Sequence, residues 1–304
     1  MFQLTEDTYE QILVSCCNSN SSLDLTQAAF IDPYGMVGLI EMGEFFKSKG
    51  IRKTILLPQS EDVLKYLERM DFFRFAGEYF DLEFSNSPSP PFAKVGNSLT
   101  PPLKKGDIGG FLGQKYLRSS YSDVLLEITP IEKSDDIHFI VGKVKERANA
   151  ILTKHLNYDE RGINGFIVAL SEVCQNIVEH SENKGFVGIQ KYHFNSLNKN
   201  VVKIAVMDIG IGFRKSLSQR FSLKDDFQAI EKALLHGASR YADEGRGHGL
   251  AAVSRFVHQW NGKLSIRSGT AKLSIIPDWS WGNEKEINLA HFPGSQINIL
   301  LPET

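Results

Sequence analysis

Two hydrophobic patterns alternate along the first third of the chain. Short apolar runs at residues 23–25 and 54–57 predict strands. Apolar positions spaced three or four apart predict helices near 9–14, 36–49 and 61–70. Strands that alternate with helices are typical of a small α/β domain with a largely parallel sheet.

A change of composition follows this domain. Proline, serine and glycine clusters at residues 85–117 predict a linker, which divides the chain into a domain at 1–85, a linker at 86–120 and a second domain at 121–304. The second domain opens with a predicted strand at 124–128 and a predicted helix at 137–156.

The next helical pattern begins near Gly165 and carries polar residues at every fourth position. Glu172, Asn176 and His180 therefore fall on one stripe beside the apolar face. A carboxylate can take a proton from water, and an amide oxygen suits Mg²⁺ beside a phosphate. The alternative interpretation is a solvated helix face with a chance spacing.

Two strands are predicted next, at 186–193 and 201–207, and the second runs into Asp208-Ile209-Gly210-Ile211-Gly212. A carboxylate at the end of a buried strand can accept a hydrogen bond from an exocyclic amine. Gly210 and Gly212 would let the backbone approach a flat ring. A tight turn with a solvated aspartate is the alternative.

A second glycine cluster follows a long segment at 213–244, which contains one predicted helix and which we interpret as a lid. The cluster opens another helix, so its N–H groups can form a phosphate cradle. A glycine-rich helix start without a ligand is the alternative. The residues of the cluster are Gly245, Arg246, Gly247, His248, Gly249 and Leu250.

The last part of the chain predicts a hairpin, an insertion and a closing strand. The hairpin joins residues 263–267 and 272–276, the insertion covers 279–291, and Gly294-Ser295 precedes a strand at 297–301.

Composition narrows the class of protein. The 304 residues are 42% hydrophobic and 23% charged, with a net charge of −2, so no basic excess indicates direct nucleic-acid binding. No apolar run reaches the length of a membrane span, and the N-terminus lacks a signal-peptide pattern. Three cysteines, two of them adjacent, do not suggest a disulfide framework. We expect a cytoplasmic protein without membrane association.

The order of these motifs resembles the GHKL ATPases, which include gyrase, histidine kinases, mismatch-repair ATPases and certain heat-shock chaperones. The resemblance runs from about residue 137 to 302, and the spacing of Glu172, Asn176 and His180 is most similar to the anti-sigma factor serine kinases. It implies an α/β sandwich with helices on one face of a mixed sheet. It also implies ATP and Mg²⁺ as cofactors.

The resemblance assigns a role to each matching residue. Glu172 would be the catalytic base or water-orienting carboxylate, Asn176 the Mg²⁺ ligand and Asp208 the acceptor for the adenine amine. The remaining nucleotide contacts would be Gly210, Gly212, Gly245, Arg246, Gly247, His248, Gly249, Leu250 and Ser295. Arg246 and His180 could instead be structural.

The first domain resembles a STAS domain, the fold of anti-sigma factor antagonists, over residues 23–75. That family commonly has Asp-Ser-Ser-Gly at the turn before its helix, with the second serine as phosphate acceptor. This chain has Asp32-Pro33-Tyr34-Gly35, so the acceptor serine is missing. A generic βαβα domain remains the alternative.

Two functions stay open on the sequence alone. The first is a regulatory ATPase or serine/threonine kinase that controls a protein partner, and the second is a module that senses ATP without turnover. Retention of Glu172 favours the first, because binding alone needs no base. The expected partner is another protein, with a homodimer as an alternative.

Overall fold

The computed structural model describes residues 1–18, 22–85, 124–195, 197–238 and 249–304. The chain divides into two compact units, Met1–Tyr121 and Ser122–Thr304. The predicted linker at 86–120 lies outside the described residues. Within the described residues, no helix is both long and apolar enough to cross a bilayer.

The first unit alternates strands and helices, as its sequence pattern predicts. β2 pairs with β4 and β4 with β5, all parallel, while β1 and β3 form a separate parallel pair. The second half of the unit contains a helix and a strand that the sequence analysis did not predict, α4 and β5. The elements are β1 Phe2–Leu4, α1 Glu6–Asn18, β2 Leu23–Asp24, β3 Ala28–Ile31, α2 Pro33–Ser48, β4 Lys53–Leu56, α3 Glu61–Arg69, α4 Phe72–Tyr79 and β5 Phe80–Glu83.

Helix α2 forms the centre of this unit. Asp32 caps it, because its carboxylate oxygen accepts a hydrogen bond of 2.8 Å from the Gly35 N–H, and Pro33 has the backbone angle that a first helical turn needs. Tyr34 is buried with its ring edge-on to Tyr9, at 5.4 Å between centroids. The Tyr9 hydroxyl donates to the Gly38 carbonyl at 3.1 Å. The predicted turn at Asp32–Gly35 is therefore buried inside the unit.

The second unit is a seven-stranded sheet with helices that pack on one face. Its strands are β6 Val124–Ile131, β7 Gly185–Phe194, β8 Lys199–Asp208, β9 Lys263–Gly269, β10 Ala271–Ile275, β11 Lys285–Glu286 and β12 Phe292–Pro302. Its helices are α5 Ser134–Leu156, α6 Glu160–Asn176, α7 Gly212–Leu217, α8 Asp226–His236 and α9 Gly249–Gln259, with a π-helical turn at Ile177–Ser181.

The strands follow the order β11-β10-β9-β12-β8-β7-β6, and every neighbouring pair is antiparallel. The prediction of a mixed sheet is therefore wrong. β8 and β9 run in the same direction and are joined through helices, which ordinarily gives a parallel pair. Here the closing strand β12 lies between them and pairs antiparallel with both.

One apolar core holds the helices against the sheet. Alternate residues along β8, such as Ile204 and Val206, pack with Phe166 and Val173 of α6 and with Val253 of α9. Each buried aliphatic side chain contributes roughly 1.5–3 kcal/mol to folding. This core fixes where α6 and α9 end relative to the sheet, and these ends form the candidate site.

Candidate functional site

Helix α6 positions the first two candidate residues. It begins at Glu160, five residues before the predicted start, because Asp159 accepts a 2.7 Å hydrogen bond from the Gly162 N–H. Glu172 and Asn176 lie one turn apart, and the Asn176 Nδ2 donates to the Glu172 carbonyl at 2.9 Å. This bond engages the amide nitrogen of Asn176, and the amide oxygen is the atom that a metal ligand needs.

The Glu172 carboxylate lies beside the start of α9. A Cβ added to Gly249 would overlap Glu172 Oε2, so any larger residue there would have to displace the carboxylate. Burial and the negative charge of Glu179 raise the pKa of Glu172. The structure thus brings together two predicted site residues that are 77 positions apart in the sequence.

Asp208 is the last residue of β8 and is 2% exposed. Its Oδ1 accepts 2.7 Å hydrogen bonds from the Ser181 hydroxyl and from the Gly210 N–H. Its Oδ2 accepts a hydrogen bond from the Ser295 hydroxyl. Burial raises the pKa of Asp208, and these donors partly offset that effect by stabilising the carboxylate.

Ser295 reaches Asp208 because the two residues are paired across β12 and β8. Gly294 and Ser295 lie inside β12, where the pairing with β9 is irregular, so the prediction that they precede the closing strand is wrong. Gly294 has φ +73°, and a Cβ there would overlap the Asp208 carbonyl. This bulge brings the Ser295 hydroxyl to the carboxylate.

Gly210 and Gly212 shape the loop after β8. A Cβ on Gly210 would overlap the carbonyl and hydroxyl of Ser181, and Gly212 has φ +71°. The Ile211 N–H donates to the Ser181 carbonyl at 2.9 Å. Both glycines are therefore required by close backbone packing within the loop.

Two serines of this site, Ser181 and Ser268, were not predicted from the sequence. Ser181 contacts Asp208 and the loop, as described above. Ser268 donates to the Gly294 carbonyl at 2.6 Å and accepts from the Phe213 N–H at 3.2 Å. Ser268 falls between the two predicted hairpin strands at 263–267 and 272–276, and that position did not indicate its contacts with Gly294 and Phe213.

The π-helical turn explains why Ser181 was missed. Hydrogen bonds in a π-helix join residues five apart, so Ser181 and not His180 follows Asn176 by one turn. The predicted stripe of Glu172, Asn176 and His180 therefore ends at Asn176. The half-buried His180 instead has its Nε2 3.9 Å from the Glu179 carboxylate.

The second glycine cluster is only partly described. Gly245, Arg246, Gly247 and His248 lie outside the described residues, as does the end of the predicted lid. The described part of that segment contains α8, as predicted, and also the short helix α7. The side chain of Leu250 is buried in the apolar core. Of this residue, the backbone N–H at the helix start is therefore the group that could meet a phosphate.

A groove of about 730 Å³ borders the outer side of the loop after Asp208. Its walls come from the loop, from α7, from the end of the π-helical turn, and from residues at the end of β9 and the start of β12. Glu172, Asn176 and Asp208 do not line it. Its lining includes Ser181, Gly210, Ile211, Gly212, Ser268 and Gly294.

Residues 163–302 match the family model described as "Histidine kinase-, DNA gyrase B-, and HSP90-like ATPase". The match covers α6 through β12 and includes Glu172, Asn176, Asp208, Gly249 and Ser295. This part of the second unit is therefore similar to the ATPase domains of that family. No curated protein matches the chain.

Proposed function

We propose that the second unit binds Mg-ATP and that the chain is a regulatory ATPase or protein kinase acting on a protein partner. One observation carries the proposal. Within the residues that match the ATPase family, Asp208 is held by three donors at the end of the interior strand β8, and Glu172 and Asn176 lie on the helix that leads into Ser181.

The Asp208 carboxylate suits the adenine base. It is buried and acts as an acceptor, and the exocyclic amine of adenine is a donor. A hydrogen bond to a charged acceptor is worth about 1.5–3 kcal/mol. The glycines of the loop have no side chains, so the adenine ring can approach the backbone closely.

Two residues of α6, Asn176 and Glu172, suit the phosphates of ATP. The Asn176 amide oxygen is a hard ligand of the kind that Mg²⁺ takes beside phosphates. Bound Mg²⁺ would neutralise charge that develops on the phosphates. Glu172 would orient or deprotonate the attacking hydroxyl or water, and its raised pKa brings it nearer to neutral pH, where a general base works best.

A raised pKa at Glu172 also favours turnover over the alternative, a module that senses ATP without hydrolysis. Simple binding gives no reason to bury a carboxylate beside the start of α9. The closer likeness to anti-sigma factor serine kinases is part of the proposal and rests on the motif spacing.

The STAS-like character of the first unit is a further part of the proposal. The parallel strands β2, β4 and β5 with intervening helices support it. We propose that this unit serves as a docking or regulatory surface rather than as a phosphate acceptor.

A thermal-shift measurement tests the central claim. Mg-ATP at about a hundred times its dissociation constant should stabilise the ATPase unit by roughly 2.7 kcal/mol. That corresponds to about 2–4 °C per kcal/mol for a unit of this size. Asn176→Ala should remove the part of the shift that depends on Mg²⁺, and chelation in the wild type should have the same effect.

Asn164→Ala is the matched control, because Asn164 is an exposed asparagine on the same helix. Its shift should equal that of the wild type. Absence of a shift with any adenine nucleotide would refute the proposal.

A further inference from the structure

Ser181 connects the end of α6, which carries Glu172 and Asn176, to the carboxylate of Asp208. Its hydroxyl donates to Asp208 Oδ1 at 2.7 Å, and its carbonyl accepts from the Ile211 N–H at 2.9 Å. Ser181 is 4% exposed, so water competes little for either bond.

The local backbone is built around this serine. The π-helical turn ends at Ser181, and Glu182 then takes a left-handed conformation with φ 59°. Gly210 packs against both polar atoms of Ser181, because a Cβ there would overlap them. Single π-turns inserted in helices are frequent at functional sites, where they re-aim a side chain.

The hydrogen bonds of Asp208 divide between its two oxygens. Ser181 and Gly210 both donate to Oδ1, which a carboxylate oxygen with two lone pairs can accommodate. Oδ2 lies beside the Ser295 hydroxyl. Loss of the Ser181 hydroxyl would leave one donor on each oxygen, the Gly210 N–H on Oδ1 and the Ser295 hydroxyl on Oδ2, so the carboxylate would be held less firmly.

We propose that Ser181 is a positioning residue that aims Asp208 at the exocyclic amine of the base and thereby sets the selectivity of the site for adenine. This inference rests on the proposed function, because it assumes that Asp208 meets the base. It adds a residue that acts through Asp208 and contacts no ligand itself.

The test compares ATP with purine riboside triphosphate, which lacks the exocyclic amine. In the wild type, ATP should bind tighter by on the order of tenfold or more, since the analogue cannot donate to a charged acceptor. In Ser181→Ala this ratio of dissociation constants should fall roughly tenfold, because only ATP uses the aimed carboxylate. A merely structural role would weaken both ligands equally and keep the ratio constant.

Two further variants complete the experiment. Ser181→Thr keeps the hydroxyl and should restore the ratio. Ser274→Ala removes another buried hydroxyl, which donates to Ser265 at 3.0 Å away from the site, and should leave the ratio at the wild-type value. Thermal unfolding without ligand confirms that each variant is folded.

The outcomes separate the two proposals. If the wild type binds neither nucleotide, the proposed function fails. If the wild type prefers ATP and folded Ser181→Ala keeps the same preference, the role of Ser181 alone is overturned. A Thr variant that behaves like the Ala variant would also contradict that role.

Discussion

At the scale of single residues, Glu172 and Asp208 are two carboxylates with different surroundings. Glu172 is partly buried, lies beside Gly249 and has Glu179 as its main charged neighbour. Asp208 is buried and is held by Ser181, Gly210 and Ser295. Burial raises both pKa values, and among the described residues three donors hold the Asp208 carboxylate in its orientation. We therefore expect chemistry at Glu172 and recognition at Asp208.

Substitution separates these roles. Glu172→Gln should keep ATP affinity within a few-fold while turnover falls on the order of 10²-fold or more. Asp208→Asn should weaken binding, because one acceptor oxygen becomes a donor. Dissociation constants and single-turnover rates measure the two effects, and Glu160→Gln, an exposed glutamate on the same helix, is the control. Equal loss of affinity in both variants would show that the roles are misassigned.

At the scale of elements, an ion-pair cluster attaches α5 to the edge strand β6. Glu127 Oε2 lies 3.0 Å from Arg147 Nη1 and 3.3 Å from Lys143 Nζ, and the glutamate side chain is 11% exposed. Burial by itself raises the pKa of Glu127. The Arg147 hydrogen bond, a hydrogen bond to the backbone of Glu127 and the two positive charges outweigh burial, so the net pKa is lowered.

A lowered pKa in the folded state has a defined effect on stability. The contribution of Glu127 is fully present above its unfolded pKa of about 4.3 and is lost as pH falls through the lower folded value. Glu127→Gln should therefore cost about 1–3 kcal/mol at pH 7 and progressively less below about pH 4. Chemical denaturation across pH measures this difference, with exposed Glu132→Gln as control. A cost that stays constant down to pH 3 would exclude the electrostatic explanation.

At the scale of the whole molecule, the proposed function leads to a test of whether the second unit phosphorylates the first unit. The turn that would correspond to the acceptor turn of a STAS domain is Asp32-Pro33-Tyr34-Gly35. Tyr34 is 2% exposed and packs edge-on against Tyr9. Its hydroxyl also lies further from the backbone than that of a serine, and phosphoryl transfer depends on positioning to about 1 Å.

We expect no self-phosphorylation at this turn. Intact-mass and peptide mass spectrometry after incubation with Mg-ATP should find no phosphate on residues 1–85. The matched variant is Glu172→Gln, which should give the same spectrum. Stoichiometric phosphate on Tyr34 that disappears in Glu172→Gln would make the chain a self-modifying kinase.

The sequence by itself determined most of the elements and the order of the motifs. Regular spacing reports neighbours one turn apart, so it placed Glu172 and Asn176 on one helix face, and a strand pattern placed Asp208 at a strand end. Both predictions depend on residues close together in the chain. Six shorter elements were not predicted, namely β1, β3, α4, β5, α7 and β11.

Only the tertiary structure decided which distant residues meet. The insertion of β12 between β8 and β9 made the sheet antiparallel and set Ser295 opposite Asp208. The π-helical turn replaced His180 by Ser181 after Asn176, a change of one residue that no α-helical spacing can indicate. Core packing of α6 and α9 brought Gly249 to Glu172. Such contacts depend on strand order and on helix packing over the whole unit. A local hydrophobic pattern determines neither the order of the strands nor the packing of the helices.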